Sequence, residues 1–438
     1  MLSNLLAHGV GSRGTLPLPL WQFAWAAIAA LVLSFVGLGA LWHSPRLGPD
    51  APVRVVGGSA PFLRVAEWIL RVAGLIVFGL TLGAALFGAD VGGEAVNLAP
   101  VTIYVMVWVA VPIVSALVGD IWSALNPFAT IAKLFPERRA EPPAHHWVAA
   151  AMLLGFLVLE LVHPSGDSPR ILGWGMVVYS VVMVGGMVRF GRVWLDRADG
   201  LAVLFRSIAQ ISPFSRSAEG DLVLRRPLSG LSTMTIRPGT AIAILIVLGG
   251  TSFDGFSESP LFTDIIGRPR GWAAFAPNLI GLLVMIGIAA ILYWIGARST
   301  ARVTGLSHEE AADLFAPSLI PIVWAYVVAH YAQLLVDQVQ SFWFRLSNPY
   351  GRFDDAGNPT TNWFGAADGE IDLNVIDPDV VAWVQAVSIV VGHVLAVLYA
   401  HDLAIRRFEH RNAVRSQQTM LFVMVLYSVA GLWLLFAG

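Results

Sequence analysis

Ten stretches of this chain are apolar for about twenty residues each, and that repetition leaves few folds open. A helix rises 1.5 Å per residue, so about twenty residues cross the ~30 Å hydrocarbon core of a bilayer. In that core each backbone amide must find its partner inside the segment, which favours helices. The chain therefore reads as all-α, a polytopic helical membrane protein with about ten transmembrane helices. They are placed at 20–42, 65–87, 98–119, 146–163, 170–190, 239–257, 275–297, 314–337, 380–403 and 419–437. Tryptophans near many of the ends (Trp21, Trp42, Trp147, Trp272, Trp294, Trp343, Trp383) fit an interfacial aromatic belt.

Composition agrees. The 438 residues are 56% apolar and 13% charged, against about 25% charged in soluble domains. A single transmembrane domain over 1–438 is expected, with the lipid bilayer as its main partner. The net charge is −2 and no basic run is long enough to suggest nucleic acid. The chain has no cysteine, which excludes disulfides, thiolate metal sites and a cysteine nucleophile. The N-terminal segment has no basic region ahead of its first apolar run, so span 20–42 is expected to be retained rather than cleaved as a signal peptide.

Basic residues set the orientation. The odd-numbered connections hold 21 of the 27 Lys and Arg, among them Arg46, Arg54, Lys133, Arg192, Arg197, Arg206, Arg298 and Arg406. The positive-inside rule puts those connections in the cytoplasm and both termini outside it. An odd number of spans would break the alternation. Two connections are long. The cytoplasmic loop 191–238 carries an amphipathic stretch, Leu201 to Ile211, and a short hairpin around Asp221 to Ser232. The external loop 338–379 is acidic and interleaved with Trp343, Trp363 and Phe364; it is either a lid over the outer face or a solvated loop. Asp377-Pro378 has the form of a helix start. Asp120 to Lys133, with Asn126-Pro127 at its centre, is either re-entrant or an amphipathic interfacial helix.

Ionisable residues inside spans are costly and mark function by default. His330 and His393 lie well inside the eighth and ninth spans. Gln333 and Asp337 share the helix face of His330, and Gln385 lies near His393. Glu160, followed by His163, sits in the outer half of the fourth span, and Asp254 near the outer end of the sixth. The Gly249-Gly250 pair before Asp254 suggests an interrupted helix lining a cavity. His8, in the external N-terminal segment, could fold over the same surface. The candidate catalytic constellation is thus His330, His393, Asp254 and Glu160, with His8, His163, Gln333, Asp337 and Gln385 as secondary polar residues. Each histidine has three readings: a hydrogen bond to a neighbouring helix, metal ligation, or proton transfer. A metal, if used, would fall to His330, His393 and Asp254. His401-Asp402, beside Arg406 and Arg407, reads as an interfacial ion-pair cluster.

Several motifs resemble a family of bacterial, largely actinobacterial, integral membrane proteins that carries the name fenitrothion hydrolase. They are Ala7-His8-Gly9 with Leu16 to Trp21, Gly119-Asp120 with Asn126-Pro127-Phe128, Thr251 to Phe256, Ala329-His330-Tyr331, Asn362-Trp363-Phe364-Gly365, Gly392-His393-Val394 and Ala400-His401-Asp402. The resemblance implies a bacterial inner-membrane enzyme that hydrolyses a phosphotriester, an apolar small molecule, with release of a nitrophenol. One or two divalent ions at His330, His393 and Asp254 or Glu160 would activate water under that reading. Two other classes stay open: a secondary transporter or proton-coupled permease with a midplane His/Asp site, and a membrane subunit of a respiratory or oxidase complex with histidine-bound haem or copper. Protein partners and oligomeric state are not fixed by the sequence.

Overall fold

The computed structural model describes residues 19–90, 96–267 and 269–436. His8 and its motif lie outside the described residues. The fold is the expected all-α bundle, and the chain is a multi-pass membrane protein. The long helices are α1 (Leu20–Leu41), α2 (Ala60–Phe87), α3 (Leu98–Val118), α4 (Trp147–Leu161), α5 (Pro169–Phe190), then the short amphipathic α6 (Gly200–Ile208), followed by α7 (Thr240–Ser257), α8 (Phe275–Thr304), α9 (Ile320–Ser347), α10 (Pro378–Arg407) and α11 (Gln418–Phe436). Their ends follow local chemistry. Asn97, Ser168 and Asp377 cap α3, α5 and α10 through side-chain oxygens, with proline in the first turn of α5 and α10. Gly191, at φ +85, ends α5.

Large apolar side chains cover the outside of the bundle. Trp25 and Leu33 on α1, Trp68 and Ile76 on α2, Val178 and Val181 on α5, and Ile280 and Ile291 on α8 are all exposed to the surroundings. Surface of that kind fits a lipid environment. The helix α7 is the opposite case, buried along most of its length between α4, α8, α9 and α11.

Among the described residues nine helices are long and apolar enough to cross a membrane, and α4, with 15 residues, falls short of that length. The ends of α4 nevertheless reach both sides. At its start, the His146 amide donates to Pro238 just before α7. Beyond its end, His163 packs edge-on against Trp272, just before α8. Because α8 follows α7, α4 runs the whole height of α7. A span walled by protein can be shorter than one walled by lipid, since its polar ends meet protein and not hydrocarbon. This is where the charge alternation expects its tenth crossing.

The interruption expected at Gly249-Gly250 does not occur, because α7 is continuous through both glycines. They permit close packing instead. A Cβ on Gly249 would lie 2.5 Å from the Ile286 Cα of α8, and one on Gly250 2.5 Å from a methyl of Leu157 on α4. Small residues at such crossings are the usual means of packing helices in membranes.

The connections depart from expectation in three places. The helix α9 continues ten residues beyond the expected end at 337, so the acidic loop begins at Asn348. Its base is pinned: Leu98 donates to the Pro349 carbonyl and Ala89 to that of Tyr350. Trp363 and Phe364 stay exposed, so these two aromatics do not pack as a lid. On the basic side the hairpin is real but begins earlier, with β2 (Phe214–Arg216) paired to β3 (Leu222–Leu224), and β3 also pairs β1 (Arg54–Val56) in an antiparallel sheet of order β1-β3-β2. The segment after α3 is not one continuous helix. It breaks at Asn126-Pro127 into Trp122–Leu125 and Pro127–Ile131, whose Trp122 and Phe128 are buried against protein.

Candidate functional site

The central polar cluster is assembled by α4, α7 and α9. Asp254 sits three residues before the end of α7 and is wholly buried. One of its oxygens, Oδ2, takes two bonds from consecutive residues of α9, His330 Nε2 at 2.8 Å and the Tyr331 hydroxyl at 2.9 Å. His330 and Tyr331 are themselves 5% and 3% exposed. Consecutive helical residues diverge by about 100°, so the carboxylate sits in the angle between the two rings, which meet edge to face with centroids 4.6 Å apart. The His330 Nδ1 has no hydrogen-bond partner among the described residues. Gly255 lies beside this ring, where a Cβ would meet its Cε1 at an ordinary contact distance of 3.8 Å.

Glu160 reaches the same place from α4. It is 7% exposed, it interacts electrostatically with both Asp254 and Tyr331, and its Oε2 has no hydrogen-bond partner among the described residues. The fourth wall is α3, whose stretch Val101–Ala110 is a π-helix. Such stretches are rare and recur at functional sites. This one carries Tyr104, whose hydroxyl donates to the Gly166 carbonyl at 2.7 Å, and Trp108, which packs on Phe156 at 4.6 Å.

The structure thus brings Asp254, His330 and Glu160 together and adds Tyr331, which the sequence did not single out. Its signal was present, in that it follows His330 in the Ala329-His330-Tyr331 motif. The other candidates lie elsewhere. His393 is wholly buried on α10, level with Pro321 and Ala325 of α9, which contact the neighbouring Gly392. That places it five to nine residues from His330 along α9, about 7–14 Å in depth. Its Nδ1–H donates to the Ile389 carbonyl at 2.8 Å, and its Nε2 is buried with no partner among the described residues. It lines a cavity of about 30 Å³ with Tyr427 and apolar neighbours, room for one water. Gln333 donates to Asp337 at 3.0 Å within α9, Gln385 is buried on α10, and His163 accepts from the Ser165 amide beside Trp272.

The metal reading required His330, His393 and Asp254 to converge, and they do not. Among the described residues no group of three or more His, Asp or Glu is placed to hold an ion. His401-Asp402 is corrected as well. Asp402 is wholly buried and accepts from the Trp42 indole at 3.0 Å and the Arg46 and Leu47 amides at 2.5 and 3.0 Å. It pins the first connection with neutral donors and makes no ion pair with Arg406 or Arg407 among the described residues.

Beside the cluster, behind Trp108 and Phe156, lies an apolar cavity of about 510 Å³ between α2, α3, α4 and α5. Leu159, next to Glu160, forms part of its wall, and lipid-facing Val178 stands at its edge. A sequence of this kind gives no direct sign of such a space.

Comparison of the chain with known protein families, characterised proteins and solved structures finds no match in any of the three. The resemblance to the fenitrothion hydrolase family rests on its motifs alone.

Proposed function

We propose that the protein is a proton-coupled membrane permease whose coupling site is the cluster Asp254, His330, Tyr331 and Glu160. One observation carries this reading: two carboxylates and one imidazole, from three different helices, are buried together. Two buried carboxylates this close are costly to ionise together, which favours a proton held by the cluster that can be taken up and released. Intramembrane carboxylate and histidine chains serve this role in pumps and transporters. Tyr331 orients the carboxylate, and His330, bonded through Nε2, has Nδ1 as the second port of a relay. The test is proton flux into proteoliposomes loaded with a pH-sensitive dye. Asp254→Asn is expected to lower the flux at least about 100-fold, the scale of losing a charge-assisted relay of about 3 kcal/mol. Wild-type flux retained in that variant would overturn the reading.

The apolar cavity favours a second reading, a fenitrothion-type phosphotriester hydrolase working without a metal. His330 Nδ1 would take a proton from water as its oxygen bonds to phosphorus, the nitrophenolate would leave, and Asp254 would hold the imidazolium. Release of nitrophenol by purified protein, lost in His330→Gln, would select this reading over transport.

A further inference from the structure

A cleft of about 290 Å³ opens on the basic side, some fourteen residues of α7, about 21 Å, away from Asp254. It is lined by His146, Arg197, Arg206, Arg237 and Thr240, with one acid, Asp196. Arg206 is already paired, with Asp196 at 2.7 Å and Asp120 at 3.8 Å. Arg197 and Arg237 are not. Among the described residues neither forms an ion pair; Arg197 feels the repulsion of Arg237 more than the attraction of either Asp196 or Glu141, and its Nε and Nη1 are buried without a hydrogen-bond partner. Buried guanidinium nitrogens without a hydrogen-bond partner, next to a second arginine, gain from an added anion.

The backbone points the same way. The chain enters α4 and α7 side by side here. His146 precedes α4, its amide donates to Pro238, and its Nδ1 meets the Thr240 hydroxyl at 2.9 Å in the first turn of α7. Two helices, of 15 and 18 residues, begin at its lining residues His146 and Thr240, so the positive ends of both lie beside the cleft. Burial, with the charges of Arg237 and Arg197, pulls His146 down to about 4, so its ring is neutral at pH 7 and adds no further positive charge.

We propose that this cleft is a binding site for a phosphate group, held by the Arg197 and Arg237 guanidinium groups and by the paired starts of α4 and α7. Planar guanidinium forks match phosphate oxygens two at a time. The phosphate belongs either to a soluble anion or to an anionic lipid headgroup, since the positive-inside rule places this face in the cytoplasm at the membrane surface.

Two arms separate these sources. In detergent, thermal unfolding of the full chain is followed against inorganic phosphate and pyrophosphate at constant ionic strength, with chloride as the reference. In nanodiscs, phosphatidylcholine alone is compared with phosphatidylcholine plus phosphatidylglycerol. Stabilisation by pyrophosphate indicates a soluble ligand; stabilisation by phosphatidylglycerol only indicates a headgroup. In either case Arg197→Gln and Arg237→Gln should weaken the effect at least about tenfold, as expected for losing one bidentate contact. Should a glutamine variant fail to fold, Arg197→Lys or Arg237→Lys, which keeps the charge and loses the fork, should still weaken it about threefold or more. No stabilisation in either arm, or equal stabilisation of wild type and variants, would overturn the proposal.

Discussion

Asp254 and Asp199 are both wholly buried carboxylates that accept from a tyrosine hydroxyl, yet the residues around them differ in kind. Asp199 caps α6. It takes the Ala202 amide at 2.9 Å, the Asn126 side chain at 2.8 Å and the Tyr179 hydroxyl. Burial pushes its pKa up and those three donors pull it back. None of the three titrates near neutrality. Asp254 is bonded to a histidine and lies near a second carboxylate, Glu160, with an unpartnered oxygen. A carboxylate saturated by neutral donors fixes a structure; one placed among titratable groups can change its charge. Burial alone therefore does not mark the functional acid.

That contrast can be broken by experiment. The largest effect should come from Asp199→Ala, which strands Ala202, Asn126 and Tyr179 together. We expect a loss of about 3–5 kcal/mol in unfolding experiments, with proton flux per folded molecule unchanged. A stable Asp199→Ala protein without flux would reverse the assignment of the two regions. The next effect is at the tyrosines. Tyr331→Phe should lower flux about tenfold, the scale of one hydrogen bond to a charged group, while Tyr179→Phe should cost stability and leave flux intact. The smallest concerns His146. Its folded pKa of about 4 lies below the ordinary 6.5, so the unfolded chain takes up a proton first on acidification. Its contribution is complete above about pH 6.5 and is lost as pH falls towards 4, a change of about 1–2 kcal/mol after solvent screening. His146→Asn should flatten that part of the stability profile measured by thermal unfolding.

Much of the fold was legible in the sequence because hydropathy and charge act over whole segments. Asp377-Pro378 opened α10 as its cap chemistry required, and charge alternation demanded a crossing at α4 that helix length alone would not supply. The site was legible only in part. Glu160, Asp254 and His330 were found because ionisable residues in apolar runs stand out one at a time. Their mutual distances were not, since those depend on how α4, α7 and α9 rotate against one another. His393 carries the same signal as His330 but lines a small cavity with Tyr427 and apolar neighbours, away from Asp254. Gly249-Gly250 was misread because a glycine pair signals a helix break and a close crossing equally well; only the position of Ile286 on α8 decides. Asp199, in a connection and not in a span, carried no such signal and was missed.

The central claim, that Glu160 and Asp254 exchange a proton and Asp199 does not, is open to direct measurement by infrared difference spectroscopy of the reconstituted protein across a pH step. A carboxyl stretching band is expected to titrate in the wild type, to disappear or shift in Asp254→Asn or Glu160→Gln, and to persist in Asp199→Asn. A band that survives both central substitutions, or vanishes only in Asp199→Asn, would contradict the account.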